Sequence, residues 1–312
     1  MNSPPADAAL IQDEPLSKHT YMRVGGPAQF FATPPDLAAL TRLVEWARAE
    51  GLAVRVLGGG SNVVVSDDGV RGLVISLRRA CGFVAFEGDR VRAGAGVMLP
   101  ALSRAAAEHQ LGGLEFAIGI PGALGGALQS NAGIGDGRAI GDLVVAVDLL
   151  ERDGTRRTLA RSDIEFGYRA SSLRGSGSLV LAATLQLAPR PRAEIEAEMQ
   201  RLLTARQASQ PTSEPNAGSM FKNPPGDAAG RLIEAAGCKQ LAMGAAHVSA
   251  LHANFIVHDG SARAADIVAL MTEVQARVLA SSGVRLVPEV EWWGDGSAPE
   301  CSHPQRADLK EH

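Results

Sequence analysis

Between Asp36 and Gly51 the apolar residues Leu37, Leu40, Leu43, Val44, Trp46 and Ala47 recur every three or four positions. They share one face of a helix that opens at an aspartate and closes at a glycine. The period then changes. Short apolar and β-branched runs at Val54–Leu57 and Gly72–Leu77 predict strands, and Phe83–Phe86 with Arg90–Ala93 predict a hairpin turned at Glu87-Gly88-Asp89. Alanine-rich Met98–Gln110 reads as a helix ending at Gly112-Gly113. Val144–Leu150 opens a second hairpin, turned at Arg152–Thr155, and Leu179–Leu187 is a further strand. Past Pro189-Arg190-Pro191 the pattern becomes helical, over about 192–208, Ala228–Ala236 and Ala262 to about Ser281, with a closing strand at Val284–Trp292. This grouping predicts an α+β protein with a cofactor domain over 15–190 and a substrate domain over 195–294. The polar ends, 1–14 and 295–312, are expected to lack order.

Two glycine-rich segments interrupt that pattern. One is Leu57 to Asn62, Leu-Gly-Gly-Gly-Ser-Asn; the other runs from Gly119 to Gly133. Residues 112–141 hold ten glycines, too many for a regular helix or strand, together with Leu, Ile and Phe. That mixture predicts an ordered coil wrapped on a ligand, since a flexible linker would be polar and Ser-rich. Bare backbone approaches a ligand closely, and runs of amide N–H groups form concave anion sites, so a phosphorylated cofactor is the expected occupant. Neither segment has the G-x-x-x-x-G-K-[ST] or G-x-G-x-x-G spacing of the common nucleotide loops.

Composition narrows the class. With 312 residues, 46% hydrophobic and 21% charged, the chain belongs among globular proteins with a sizeable core. A net charge of −4 argues against nucleic acid as a partner. Cys81, Cys238 and Cys301 are too scattered for a zinc site or a disulfide framework. No run is apolar enough for a membrane span, and the first residues lack the features of a signal peptide, so a cytoplasmic protein is expected. Oligomeric state stays open, a monomer being compatible with everything above.

Three places hold side chains suited to chemistry. Asn216 to Pro224, Asn-Ala-Gly-Ser-Met-Phe-Lys-Asn-Pro, sets a hydroxyl, a cation and an amide close together. It reads equally as a Ser/Asn turn before a helix. Arg169, in Phe166-Gly167-Tyr168-Arg169, suits a carboxylate or an enolate, or is a surface arginine in a turn. Glu289 interrupts the apolar run Leu286–Val290 as either an edge-strand residue or a buried acid. His247 and His252 are five apart, which puts them on one face of neither helix nor strand, and no metal is expected.

The ordered set of Val24–Ala28, Gly58–Asn62, Gly119–Gly122, Gly125–Ala127, Asn131–Gly133, Gly167–Ser171, Ala217–Pro224, His252–Phe255 and Pro288–Val290 resembles the UDP-N-acetylenolpyruvoylglucosamine reductase family of flavoenzymes. The likeness runs from about Thr20 to Gly294. It implies the FAD-binding fold of the vanillyl-alcohol-oxidase type, in two subdomains, plus a C-terminal α+β substrate domain. FAD is then gripped noncovalently: Gly58, Gly59, Gly60, Ser61 and Asn62 wrap the pyrophosphate. Gly119, Ile120, Pro121, Gly122, Gly125, Gly126, Asn131 and Gly133 line the dinucleotide.

The resemblance also implies the reaction. NADPH supplies hydride through FAD, and the small-molecule substrate is the enolpyruvyl ether of UDP-N-acetylglucosamine, reduced to UDP-N-acetylmuramate for peptidoglycan. Arg169 matches the residue that stabilises the developing negative charge, Ser219 the general acid, and Glu289 their acidic partner, for which a raised pKa is expected. Tyr168, Lys222, Asn223, His252 and Asn254 match substrate contacts. The stretch from Arg169 to Leu179 is too short for the inserted loop that carries a diphosphate-clamping tyrosine in one branch, and Ile134-Gly135-Asp136-Gly137 replaces the usual aromatic. An oxidase or dehydrogenase of the same superfamily, acting on an alcohol or sugar, is the alternative; a nonenzymatic module that kept the fold is a third reading.

Overall fold

A computed structural model describes residues 3–294. The expectation for 295–312 lies outside the described residues. Among the described residues, two larger sheets and six α-helices form two units with a long cleft between them. In the first sheet, Leu10–Pro15 pairs antiparallel with Pro27–Ala32, which runs parallel to Val70–Ser76, itself parallel to Val54–Leu57. Helix α1 (Leu37–Ala49) packs its apolar face on this sheet, and the Asp36 carboxylate accepts the Ala39 N–H at 2.8 Å.

The second sheet is antiparallel, in the order Arg156–Ala160, Val144–Leu150, Leu179–Gln186, Arg90–Gly94, Val84–Glu87. Both predicted hairpins are its edges. Helix α2 (Leu99–Glu108) covers it and leads into the second glycine-rich stretch. That stretch is not coil throughout: a 3-10 turn at Glu115–Gly119 precedes helix α3 (Leu124–Ser130). Gly125 and Gly126 sit inside α3, where glycine disfavours but does not forbid helix, and the buried Leu124, Ala127 and Leu128 hold it. One apolar core runs through both sheets, from Ala8 to Leu187.

Helix α4 (Arg192–Ser209) begins after Pro191, yet packs against the first unit through Ile195 and Met199 on Ala107 and Ile118. The second core therefore starts beyond α4. It gathers Ala217, Met220, Phe221, helix α5 (Ala229–Ala235), helix α6 (Ala264–Ser282) and Leu286, and takes in Met22, Val24 and Val64 from the first unit. His258, fully buried, fastens that joint. Its Nδ1 accepts from Gly260 N–H at 3.0 Å, so Nε2 carries the proton donated to the Met22 carbonyl at 2.7 Å.

Two further expectations are corrected. The polar N-terminus expected to lack order contributes the strand Leu10–Pro15, with Ala8 fully buried beside it. An edge strand needs apolar residues on one face only, so its polar composition hid it. The closing strand expected over Val284–Trp292 is confined to Glu291–Trp293, which pairs parallel with Val63–Val65 next to the first glycine loop. Among the described residues no helix is long and apolar enough to cross a membrane.

Candidate active site

The cleft between the units has a volume of about 1340 Å³ and is lined by both glycine-rich segments and by Tyr168, Arg169, Ser219, Asn223, His252, Asn254 and Glu289. The first loop is shaped for an anion. No amide N–H from Gly58 to Asn62 is donated to a protein acceptor among the described residues. Five neighbouring donors facing a large cleft are the backbone cradle a pyrophosphate needs. Gly60 has φ +68°, and a Cβ there would stand 2.2 Å from the His19 carbonyl oxygen. Across the cleft, Gly126 has nothing within 4 Å of where its Cβ would lie, leaving open space that would admit a flat ring system. These residues fit FAD.

Arg169 occupies a two-residue turn between the short strands Phe166–Gly167 and Ala170–Ser171, at φ +52°. That left-handed conformation is costly for a residue with a side chain and is held by its surroundings. The holders are at the C-terminal end of α3. Asn131 Nδ2 donates to the Gly167 carbonyl at 2.9 Å, while its Oδ1 accepts from Gly141 N–H at 3.0 Å. Ser171 Oγ donates to the Gln129 carbonyl at 3.0 Å. The guanidinium lies over the Tyr168 ring, 5.5 Å from its centroid, and Nε approaches Glu289 Oε1 at 2.6 Å without the alignment of a directed hydrogen bond.

Both side chains of this pair are under a fifth exposed. Burial pushes the Glu289 carboxyl above its usual range, and the charges of Arg169, Lys222 and Arg174 oppose that without cancelling it. Glu289 is fixed by its backbone. Its N–H donates to the Met220 carbonyl at 2.9 Å, and Lys222 N–H donates to the Val287 carbonyl at 2.8 Å. Residues 220–222 thus lie alongside 287–289, which brings Ser219 to the same wall of the cleft as Glu289.

The other edge of that segment is held by Asn254, buried to 3% exposure. Its Nδ2 donates to the Phe221 carbonyl at 2.8 Å, its Oδ1 accepts from Phe221 N–H at 3.0 Å, and its carbonyl accepts from Met220 N–H at 2.9 Å. The Asn254 N–H in turn reaches His252 Nδ1 at 3.2 Å. Burial lowers the His252 pKa, and with Nδ1 accepting from Asn254 N–H it is Nε2 that carries a proton.

Of the predicted site residues, the cleft gathers Arg169, Ser219, Glu289, Tyr168, His252, Asn223 and Asn254 together with the glycine loops. Three asparagines bond backbone with their amides. Asn131 and Asn254 hold backbone as described, and Asn223 Oδ1 accepts from Ala229 N–H at 2.9 Å to cap α5. Lys222 bears on Glu289 through its charge and is not among the residues lining the cleft. Sequence reasoning missed Arg206, on α4, whose side chain lines the cleft beside Gly119 and bonds Gln210 Oε1 at 3.0 Å. Nothing in its local pattern marks it; it is one arginine among several on a polar helix.

Comparison with known proteins agrees with this geometry. Residues 28–160 match the family model described as FAD binding domain, and residues 210–293 match that of the UDP-N-acetylenolpyruvoylglucosamine reductase C-terminal domain. The chain is 46% identical over 281 residues to UDP-N-acetylenolpyruvoylglucosamine reductase 2 of Symbiobacterium thermophilum, covering 90% of this chain and 91% of that protein. It is 46% identical over 287 residues to the reductase of Moorella thermoacetica, covering 92% and 94%. The crystal structure of UDP-N-acetylenolpyruvylglucosamine reductase from Thermus caldophilus superposes with a TM-score of 0.78 at 38% identity, covering 92% of this chain and 99% of that one. The chain belongs to the UDP-N-acetylenolpyruvoylglucosamine reductase family.

Proposed function

We propose that Arg169, Ser219 and Glu289 carry the chemistry of an NADPH-dependent flavoenzyme that reduces UDP-N-acetylglucosamine enolpyruvate to UDP-N-acetylmuramate. The activity follows from family membership. The assignment of roles rests on one observation: Arg169 and Glu289 meet at 2.6 Å in the cleft that Ser219 also lines. The two glycine-rich segments would hold FAD, which when bound would supply hydride-transfer chemistry between NADPH and the enolpyruvyl group.

What remains is the work of this chain. Hydride addition to the terminal methylene leaves negative charge on the adjacent carbon and its carboxylate. The Arg169 guanidinium, short of water and fixed by its turn, stabilises that charge. The Ser219 hydroxyl supplies the proton that quenches it. Glu289, kept toward its protonated form by burial, donates a hydrogen bond in that setting and holds Arg169 in place. Tyr168 and the Nε2–H of His252 are positioned to contact substrate. The amides of Gly58–Asn62 would bind the FAD pyrophosphate, and the division of labour is a cofactor unit over about 15–190, onto which α4 packs, and a substrate unit whose core begins beyond α4. We place the enzyme in the cytoplasm, where nucleotide sugars and NADPH are available. Family membership does not favour an alcohol or sugar oxidase.

The test is direct. The purified protein shows a flavin spectrum, NADPH bleaches it without oxygen, and the enolpyruvyl substrate restores it. Failure of that substrate to restore the colour rejects the reading.

A further inference from the structure

The first glycine loop and the acid of the active site are joined by a single side chain. Asn62 ends the loop whose free amides face the cleft, yet its own Nδ2 donates to the backbone carbonyl of Glu289 at 3.0 Å. The Asn62 carbonyl accepts from Glu291 N–H at 2.9 Å, so the residue grips the 289–291 segment from both its side chain and its main chain. From Glu289 the path continues. Glu289 N–H is bonded to the Met220 carbonyl, one residue from Ser219, and the parallel pairing of Val63–Val65 with Glu291–Trp293 stiffens the far side.

We propose that Asn62 is a positioning residue for Glu289 and, through Met220, for Ser219, so that seating FAD on the glycine loop orders the proton-delivering wall of the cleft. The loop is held on its carbonyl side, where Gly60 accepts from Tyr21 N–H and Asn62 from Glu291 N–H, both at 2.9 Å, while its amide side is restrained only when an anion fills it. The Asn62 side chain at its end donates to the backbone carbonyl of Glu289. Order gained by the loop therefore passes to Glu289 through a directed hydrogen bond. The inference rests on the roles proposed above for Glu289 and Ser219.

Hydrogen exchange tests it without relying on turnover. Amide exchange of the full-length protein is followed by mass spectrometry in apo and FAD-loaded forms, for wild type, Asn62→Ala and Asn62→Asp. In the wild type, FAD slows exchange of the Glu289 and Lys222 amides by about fivefold or more, as expected for a local opening suppressed by ligand. In both variants that response is lost, while the Glu291 amide, held by the Asn62 main chain, still responds. Equal protection of Glu289 and Lys222 in all three proteins overturns the proposal. So does failure of both variants to retain FAD, which assigns Asn62 to cofactor retention instead. A second readout separates positioning from general damage: in the variants, flavin reoxidation by substrate falls about tenfold further than flavin reduction by NADPH. An equal fall in both also overturns it. If the wild-type flavin is not reoxidised by the substrate at all, the reductase reading fails while the exchange pattern is still decided on its own.

Discussion

Arg169 and Glu289 are 120 positions apart in the chain, and their side chains meet at 2.6 Å with both largely shielded from water. A turn in the left-handed region presents the arginine, and a backbone pairing with Met220 presents the acid. Neither residue has a local reason to be where it is. At the carboxyl of Glu289, burial wins over the attraction of the guanidinium and holds its pKa above the usual range.

That balance gives a pH signature. Glu289 binds its proton more tightly in the folded protein than in the unfolded chain. The stability this contributes is fully present below the ordinary carboxyl range and is lost as pH rises through the elevated folded value. Urea unfolding of wild type and Glu289→Gln should therefore differ by an amount that declines with rising pH across that window. Flavin reoxidation by substrate should decline over the same range in the wild type and stay flat in the variant. A difference independent of pH would mean that Glu289 ionises normally.

Ser219→Ala should separate the two halves of the reaction. Bleaching by NADPH stays within about threefold of wild type, because no proton from this hydroxyl is needed there. Reoxidation by the enolpyruvyl substrate slows by about 10²- to 10⁴-fold, the usual contribution of a positioned general acid. Stopped-flow absorbance without oxygen reads both. Equal loss in the two halves would make Ser219 a support for the cofactor.

Asn254→Ala should unfold more easily. It strands the Phe221 N–H and carbonyl in a buried setting, and each unsatisfied group costs about 1–3 kcal/mol, so a loss of about 3 kcal/mol is expected. Urea unfolding at constant m-value measures it. A change below about 1 kcal/mol would mean water replaces the amide.

What could be read beforehand follows the range of the interactions involved. The Asp36 cap, the Glu87–Asp89 turn and helix α6 depend on residues near one another, and all appear where their patterns indicate. The strand Leu10–Pro15 and the pairing of Glu291–Trp293 with Val63–Val65 depend on distant partners, and periodicity carries no trace of those. The site divides the same way. Motif resemblance alone singles out Arg169, Ser219 and Glu289, and all three line the cleft. The same motifs contain the asparagines at 131, 223 and 254, whose amides also bond backbone, a use that a motif does not distinguish from ligand contact.

Two glycines of the cofactor cradle should respond oppositely to an added side chain. At Gly60, φ is +68° and a Cβ would press on the His19 carbonyl at 2.2 Å, against backbone that cannot swing away. Gly60→Ala should cost about 2 kcal/mol or more in folding stability, combining left-handed strain with the clash. At Gly126 a Cβ meets nothing, and the position lies in the first turn of α3, where leaving glycine favours helix by up to about 1 kcal/mol. Gly126→Val should therefore leave the apoprotein as stable as wild type or slightly more so, while weakening FAD at least about tenfold by filling the space the cofactor needs. Thermal unfolding of the apo forms and fluorescence titration with FAD give the two readings. If Gly126→Val binds FAD like the wild type, that face of α3 does not contact the cofactor, and the FAD fit must rest on the Gly58–Asn62 amides alone.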